Sequence, residues 1–307
     1  MRIPPVLRQP RPLEPGLHVA VVAPSGPVLA DRLERGCDVL RSFGLKVSLA
    51  PHVLDRHPGR YLAGTDEARA GDLQDAWCDP DVNAVYCARG GYGAVRTLDH
   101  LDWDVMRKAS SARPLKPFVG SSDSTALHQA FARRLEVQTF YGPVLGGPVL
   151  GFPDPAAVVL ESLRAALFHP SEGRTLTGTH SLVPGVAEGV TTGGTLSLLS
   201  SLVGSDELAP AEGRIVLLED VNESPYRIDR MLTQLLRSGW FAGAAGIACG
   251  SWERCGEPEH IDRVLLERLG GLGVPIVTGL EFGHGTVQLT VPLGARARLE
   301  TGALIIG

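Results

Sequence analysis

The sequence predicts a two-domain α/β protein with a mostly parallel sheet in its first half and a more β-rich second half. Three observations predict it. Apolar, β-branched runs alternate with helix-period segments up to Tyr141, the βα order that builds a parallel sheet covered by helices on both faces. A Gly/Pro-rich stretch, YGPVLGGPVLGFPDP at residues 141–155, interrupts that order. Beyond it, strand-like segments and Gly-rich turns alternate less regularly around one strong helix. At 307 residues the chain also exceeds the usual size of a single domain.

The elements follow in order. LHVAVVA, residues 17–23, is the near-continuous apolar run of a buried parallel strand. After the turn PSGP, Leu29, Leu33, Cys37, Leu40 and Phe43 recur at helical spacing, and Gly44 closes that helix. Strands are read at residues 46–50 and 82–88, the latter followed by a glycine-rich loop and a helix-like run to Leu101. PFVG at 117–120 is a short strand, and a helix follows over 125–135 with Leu127, Phe131 and Leu135 on one face. Residues 1–145 are assigned to the first domain, 146–170 to a linker with a helix over 156–168, and 171–307 to the second domain. In that second domain a short helix is read over 193–203 and a strand over 214–218. The strong helix has Ser224 as N-cap, Pro225 at its first position and Gly239 past its end, with an apolar stripe of Ile228, Met231, Leu232, Leu235 and Leu236. Strands at 287–291 and 296–299 close the chain.

Composition excludes several classes. Hydrophobic residues at 44% and charged residues at 21% suit a soluble globular chain with a sizeable core. A net charge of −5 and the lack of any Lys/Arg run argue against a nucleic-acid binder. No apolar stretch is long enough to span a membrane, and the start, MRIPPVLRQPRPLEPG, lacks the apolar core of a secretory signal, so a cytoplasmic protein is expected. The five cysteines form no metal-ligand or CxxC spacing and are read as reduced thiols; no metal is expected.

Four loops follow apolar strands, where open α/β sheets bind their ligands. In GSSDS, residues 120–124, small residues permit a sharp strand-to-helix turn that projects a serine oxygen, while the helix start aims amides at a developing oxyanion. The bland alternative is that Ser122 or Ser124 caps the helix. In RGGYG, residues 89–93, the glycine pair allows close backbone approach to a ligand, or simply a tight turn; it is neither a Walker loop nor a GxGxxG fingerprint. RIVLLEDVN, residues 214–222, ends a strand in Glu219 and Asp220, and either carboxylate could merely complement the following helix dipole. In EFGHG, residues 281–285, His284 lies between glycines, whereas His100, His128 and His260 stand in less distinctive contexts. Taken together, Ser122, Glu219 and His284 supply nucleophile, acid and base in the order of the α/β-hydrolase triad, one from the first domain and two from the second, which puts the expected site at the domain interface.

Four segments, ARGGYGAVRTL, FVGSSDSTALH, LLEDVNESPYRIDRMLTQL and GHGTVQLTVPLG, together resemble the signature segments of the LD-carboxypeptidases, serine peptidases grouped with the microcin C immunity proteins. The resemblance covers nearly the whole chain. It implies a Rossmann-like N-terminal domain with a smaller β-rich α/β C-terminal domain, usually as a homodimer, and no cofactor. It also implies Ser122 as nucleophile, Glu219 as orienting acid, His284 as base, and the amides of Asp123 and Gly91 (Gly90 as the lesser choice) as the oxyanion hole. Ser121, where relatives often carry an aromatic residue, and Thr195, where asparagine is common, depart from the pattern and bear on the substrate pocket. The RGGYG loop is similar to the peptidoglycan-recycling branch, whose substrate is a murein tetrapeptide or its UDP-MurNAc form. An exopeptidase must also read a free carboxylate. Arg89, Arg227 and Arg230 are candidates for it, with surface ion pairs as the alternative for the last two; Tyr92 is a further substrate contact. Two other functions remain open: hydrolysis of a peptidyl- or aminoacyl-nucleotide amide, and closure on a small ligand without chemistry.

Overall fold

A computed structural model describes residues 3–307, which divide into two compact units: residues 8–170 with 289–291, and residues 171–288 with 292–307 and 3–7. The first unit runs β1 (His18–Val22), α1 (Ala30–Ser42), β2 (Lys46–Leu49), α2 (Asp66–Cys78), β3 (Ala84–Cys87), α3 (Ala94–Leu98), α4 (Trp103–Ala112), β4 (Phe118–Gly120), α5 (Thr125–Ala130), β5 (Thr139–Tyr141) and α6 (Ala157–Phe168). Then come β6 (Arg174–Thr177), β7 (His180–Val183), β8 (Ala187–Thr195), α7 (Leu196–Ser201), β9 (Arg214–Val221), α8 (Pro225–Arg237), β10 (Gly246–Glu253), α9 (Pro258–Leu269), β11 (Ile276–Thr278), β12 (Val291–Leu293), β13 (Arg296–Glu300) and β14 (Ala303–Ile306).

The first sheet has the order β12-β5-β4-β3-β1-β2, and the pairs from β5 to β2 are all parallel. Its central strands are short and buried throughout, as the continuous apolar runs predict. The second sheet, β6-β14-β13-β8-β9-β10-β11-β7, has a parallel centre from β8 to β11 with antiparallel pairs on both flanks. The chain is therefore a mixed α/β protein of two sheets.

The segment between β2 and β3 holds a helix with little apolar periodicity, because α2 turns Arg69 and Asp72 inward beside Leu73, Ala76 and Trp77. Thr65 caps it, its side-chain oxygen accepting from the Ala68 amide at 3.2 Å. The buried Arg69 guanidinium donates to Pro24 O (2.5 Å), Gly93 O (2.8 Å) and Thr97 Oγ1 (2.6 Å), and pairs with Asp66. One charged side chain thus ties the turn after β1 to the glycine-rich loop after β3.

In the second unit α8 buries Ile228, Leu232 and Leu235 in a core shared with Leu196, Leu199, Leu218, Cys249 and Leu265. Each such buried leucine is worth about 1.5–3 kcal/mol relative to exposure.

Two local expectations change. The run at 193–203 is not one helix: β8 continues through Gly193 and Gly194 to Thr195, and α7 starts at Leu196. The two glycines have φ of +117° and +136°, and a Cβ on Gly193 would fall 2.1 Å from Leu217 O, so this strand end requires glycine. The strand expected at 287–291 is confined to Val291–Leu293, since the Thr290 amide donates to Ser162 Oγ (2.9 Å) rather than to a ladder. The helix expected over 125–135 spans that range, as α-helix to Ala130 and a wider π-type turn over Phe131–Leu135, stopped by Glu136 at φ +56°. The stretch 146–170 is counted with the first unit, where α6 buries Val159, Leu163, Ala166 and Leu167. Among the described residues no helix is long and apolar enough to cross a membrane.

Candidate active site

In the first unit the chain leaves β4 at Gly120, passes through an extended Ser121, and enters a tight turn, Ser122–Ser124, that leads into α5. Ser122 sits at φ +60°, a conformation that L-residues other than glycine seldom adopt, and it is part-exposed between buried neighbours. A capping serine would need only ordinary extended backbone. Gly90 is pressed against this turn: a Cβ there would lie 2.6 Å from Ser122 Cβ and 3.0 Å from its Oγ. The Gly90 carbonyl accepts from Gly26 N at 3.0 Å, so the loop is held from behind. Asp123 is buried and points back, its Oδ2 accepting from the Ala94 amide at 2.7 Å, which joins the Ser122 turn to the end of the glycine-rich loop. Burial raises the Asp123 carboxyl, opposed by Ser25, the Ala94 amide and the Arg69 charge.

Gly91 and Tyr92 are exposed in the same loop. Arg89 is exposed too, with Nη1 donating to Pro27 O at 2.6 Å. The neighbouring thiol offers no competing nucleophile: burial pushes Cys87 up to about 12, so it stays protonated at neutral pH.

In the second unit Glu219 ends the apolar run of β9 and is wholly buried. Its Oε2 lies 2.6 Å from His284 Nδ1, and its Oε1 accepts from Thr195 Oγ1 at 2.6 Å. Thr195 is its direct neighbour on the parallel strand β8. With Nδ1–H directed at the carboxylate, His284 keeps the Nε2 lone pair for a proton. The His284 ring is 18% exposed, enough to reach solvent or a ligand. Burial pulls its pKa down, but the charge of Glu219 and the hydrogen bond to it outweigh that, and the net shift is upward.

The loop around His284 is fixed by backbone. Ser251 Oγ accepts from the amides of His284 (2.8 Å) and Gly285 (2.9 Å). Gly283 has φ +104°, and a Cβ there would stand 2.6 Å from Glu219 Oε2, so both the turn and the approach demand glycine. Asp220, next to Glu219, faces the other way, as alternation along a strand requires, and accepts from the Ser197 and Val221 amides at 2.8 Å. Burial and the Glu219 charge raise it to about 7 against these bonds.

Of the sequence candidates, Glu219 and His284 are joined directly, and Ser122, Asp123 and Gly90 come together in the other unit. Arg227 and Arg230 are exposed on α8. Arg227 pairs with Glu223 (3.5 Å), and Arg230 lies over the Tyr226 ring (5.3 Å). Sequence reading passes over Ser251 and Tyr141, sets His128 aside among the less distinctive histidines, and notes Thr195 only as a departure from the family pattern. The only signal for Thr195 is its place after the glycine pair, and it appears once the β8–β9 register is known.

Residues 19–142 match the family model of the LD-carboxypeptidase N-terminal domain, and residues 188–299 that of the LD-carboxypeptidase C-terminal domain. A Streptomyces coelicolor protein carrying a provisional carboxypeptidase name is 53% identical over 305 residues, covering 98% of this chain and 96% of its own. The murein tetrapeptide carboxypeptidase of Pseudomonas aeruginosa is 35% identical over 299 residues, covering 94% of each chain. The crystal structure of muramoyltetrapeptide carboxypeptidase from Oxalobacter formigenes superposes with a TM-score of 0.82 at 31% identity, over 94% of this chain and 98% of that one.

Proposed function

The chain belongs to the LD-carboxypeptidase family, and from that we propose that it is a serine carboxypeptidase releasing the terminal D-alanine of a murein tetrapeptide, a step in the turnover of cell-wall peptides. The observation that carries the reading is the buried Glu219–His284 pair at 2.6 Å, which leaves one imidazole nitrogen free to act as a base. In this reading Ser122 Oγ attacks the carbonyl of the residue before D-alanine. His284 Nε2 takes the hydroxyl proton and passes it to the departing amine, while Glu219 holds the ring and stabilises its cation. The amides of Asp123 and Gly91 receive the oxyanion; one such donor is typically worth about 3 kcal/mol of transition-state stabilisation. Water then hydrolyses the acyl-enzyme, with His284 again as base, and the tripeptide leaves.

The strained turn at Ser122 and the close approach of Gly90 support the nucleophile's assignment. For the terminal carboxylate we assign Arg89, which is exposed in the loop next to Gly90 with Nη1 on the Pro27 carbonyl, ahead of Arg227, which pairs with Glu223, and Arg230, which lies over the Tyr226 ring. A second reading draws on 27% identity over 309 residues to the microcin C7 self-immunity protein of Escherichia coli, solved in complex with aspartyl sulfamoyl adenosine, and takes an acyl-sulfamoyl nucleotide as substrate. Mass spectrometry separates the two. Incubation with muramoyl-tetrapeptide should yield the tripeptide and one D-alanine; an unchanged tetrapeptide together with cleavage of glutamyl-sulfamoyl adenosine would favour the second reading.

A further inference from the structure

Among the non-glycine residues in the left-handed region is the proposed nucleophile itself, Ser122, at φ +60°. A serine in that conformation is strained, and such strain persists only where the surroundings over-determine it. The constraints here are specific. Just before the turn, the Gly120 carbonyl accepts two hydrogen bonds, from His128 Nε2 (2.9 Å) and from Gly142 N (3.1 Å). Because Nε2 must donate to a carbonyl, His128 Nδ1 is the acceptor, and Thr139 Oγ1 lies on it at 2.7 Å. At the turn itself the Ser122 amide donates to the Tyr141 hydroxyl at 3.1 Å. Thr139 and Tyr141 are two apart on β5 and so project from one face of the strand. The His128 and Tyr141 rings pack at 5.8 Å, and both side chains are about 1% exposed.

We propose that Tyr141 is a positioning residue for the nucleophile: its buried hydroxyl takes the Ser122 amide and holds the strained turn, while His128 fixes the carbonyl two residues earlier. The proposal rests on the assignment of Ser122 above. It also accounts for which amide faces an oxyanion. The Ser122 N–H is occupied by the phenol, so oxyanion binding falls to the amide of the next residue, Asp123.

Two measurements test it. In the full-length enzyme, Tyr141→Phe removes one oxygen. The kcat on muramoyl-tetrapeptide should fall by about tenfold or more, the loss of about one good hydrogen bond at a catalytic turn, with KM changed less than about twofold. A role in packing alone leaves kcat in place, and an unchanged kcat overturns the proposal. The second measurement needs no substrate. Urea unfolding of Tyr141→Phe is compared in Ser122→Ala, which keeps the left-handed penalty, and in Ser122→Gly, which relieves it. The Tyr141→Phe substitution should lower the folding constant several-fold less in the alanine background than in the glycine background, because a released turn recovers the left-handed penalty only where that penalty exists, and the cycle cancels the glycine's effect on the unfolded chain. Equal losses in both backgrounds overturn the proposal, whatever the substrate proves to be.

Discussion

At the scale of single residues, the chemistry turns on how His284 is charged. Burial alone would lower its pKa, and Glu219 reverses that through charge and a 2.6 Å hydrogen bond. Since only the neutral ring can take the serine proton, the acid limb of kcat/KM is expected above the ordinary histidine value near 6.5. Glu219→Gln removes the two largest raising contributions and leaves the burial, so the limb should move to lower pH while kcat drops by about 10⁴-fold, the scale seen when a triad loses its acid. A limb that stays in place would mean that some other group sets it. The same pair ties charge to folding. Its raised pKa contributes stability that is complete below the unfolded value and is lost as pH rises through the folded one.

Arg89 carries the second prediction at this scale. Arg89→Met should raise KM for the tetrapeptide far more than for its C-terminally amidated analogue, because only the former presents a carboxylate to the guanidinium. Equal effects on both substrates would remove Arg89 from that role.

At the scale of elements, the strand-to-helix turn after β4 depends on a histidine that must stay neutral. Burial pushes His128 down to about 4, partly opposed by its bond to the Gly120 carbonyl. The unfolded chain, with histidine near 6.5, binds the proton more readily, so this side chain's contribution to stability is intact above about pH 6.5 and drains away as pH falls toward 4. In all the loss is about 3 kcal/mol. Urea midpoints measured across that interval should fall more steeply in the wild type than in His128→Gln. Parallel curves would show that the ring is already protonated or more exposed than its packing indicates.

The elements also show where sequence patterns run out. Long apolar runs such as HVAVV in β1 and RIVLL in β9 announce buried parallel strands directly. The helix α2 does not announce itself, because its inner face carries Arg69 and Asp72, and a buried ion network has no hydrophobic period. Gly193 and Gly194 look like a helix boundary, yet their positive φ values extend a strand and deliver Thr195 to Glu219. Tyr141 opens a Gly/Pro-rich stretch that resembles a linker, and only the three-residue strand β5 reveals it as the partner of the Ser122 amide. Ser122 and His284 stand out because each follows an apolar strand in a loop of small residues, and Glu219 because it directly follows the apolar run of β9. Their supporting side chains were hidden, because hydrogen bonds across 19 or 24 residues leave no trace in local spacing.

At the scale of the whole molecule, the residues of the proposed mechanism are divided between two units. Residues 8–170 hold the serine turn, its glycine-rich neighbour and the buried Arg69–Asp66 tie behind them. The other unit holds the Glu219–His284 pair on β9 and the loop after β11, with Ser251 of β10 fixing that loop. The central claim is that these separate pieces work as one catalytic group.

The most direct test is the kcat of Ser122→Ala, His284→Ala and the double variant on muramoyl-tetrapeptide, measured beside the wild type. Groups that act as a unit are lost together, so the double variant should be no slower than either single one. Losses that multiply in the double variant would contradict the account, because they would mean that Ser122 and His284 contribute independently.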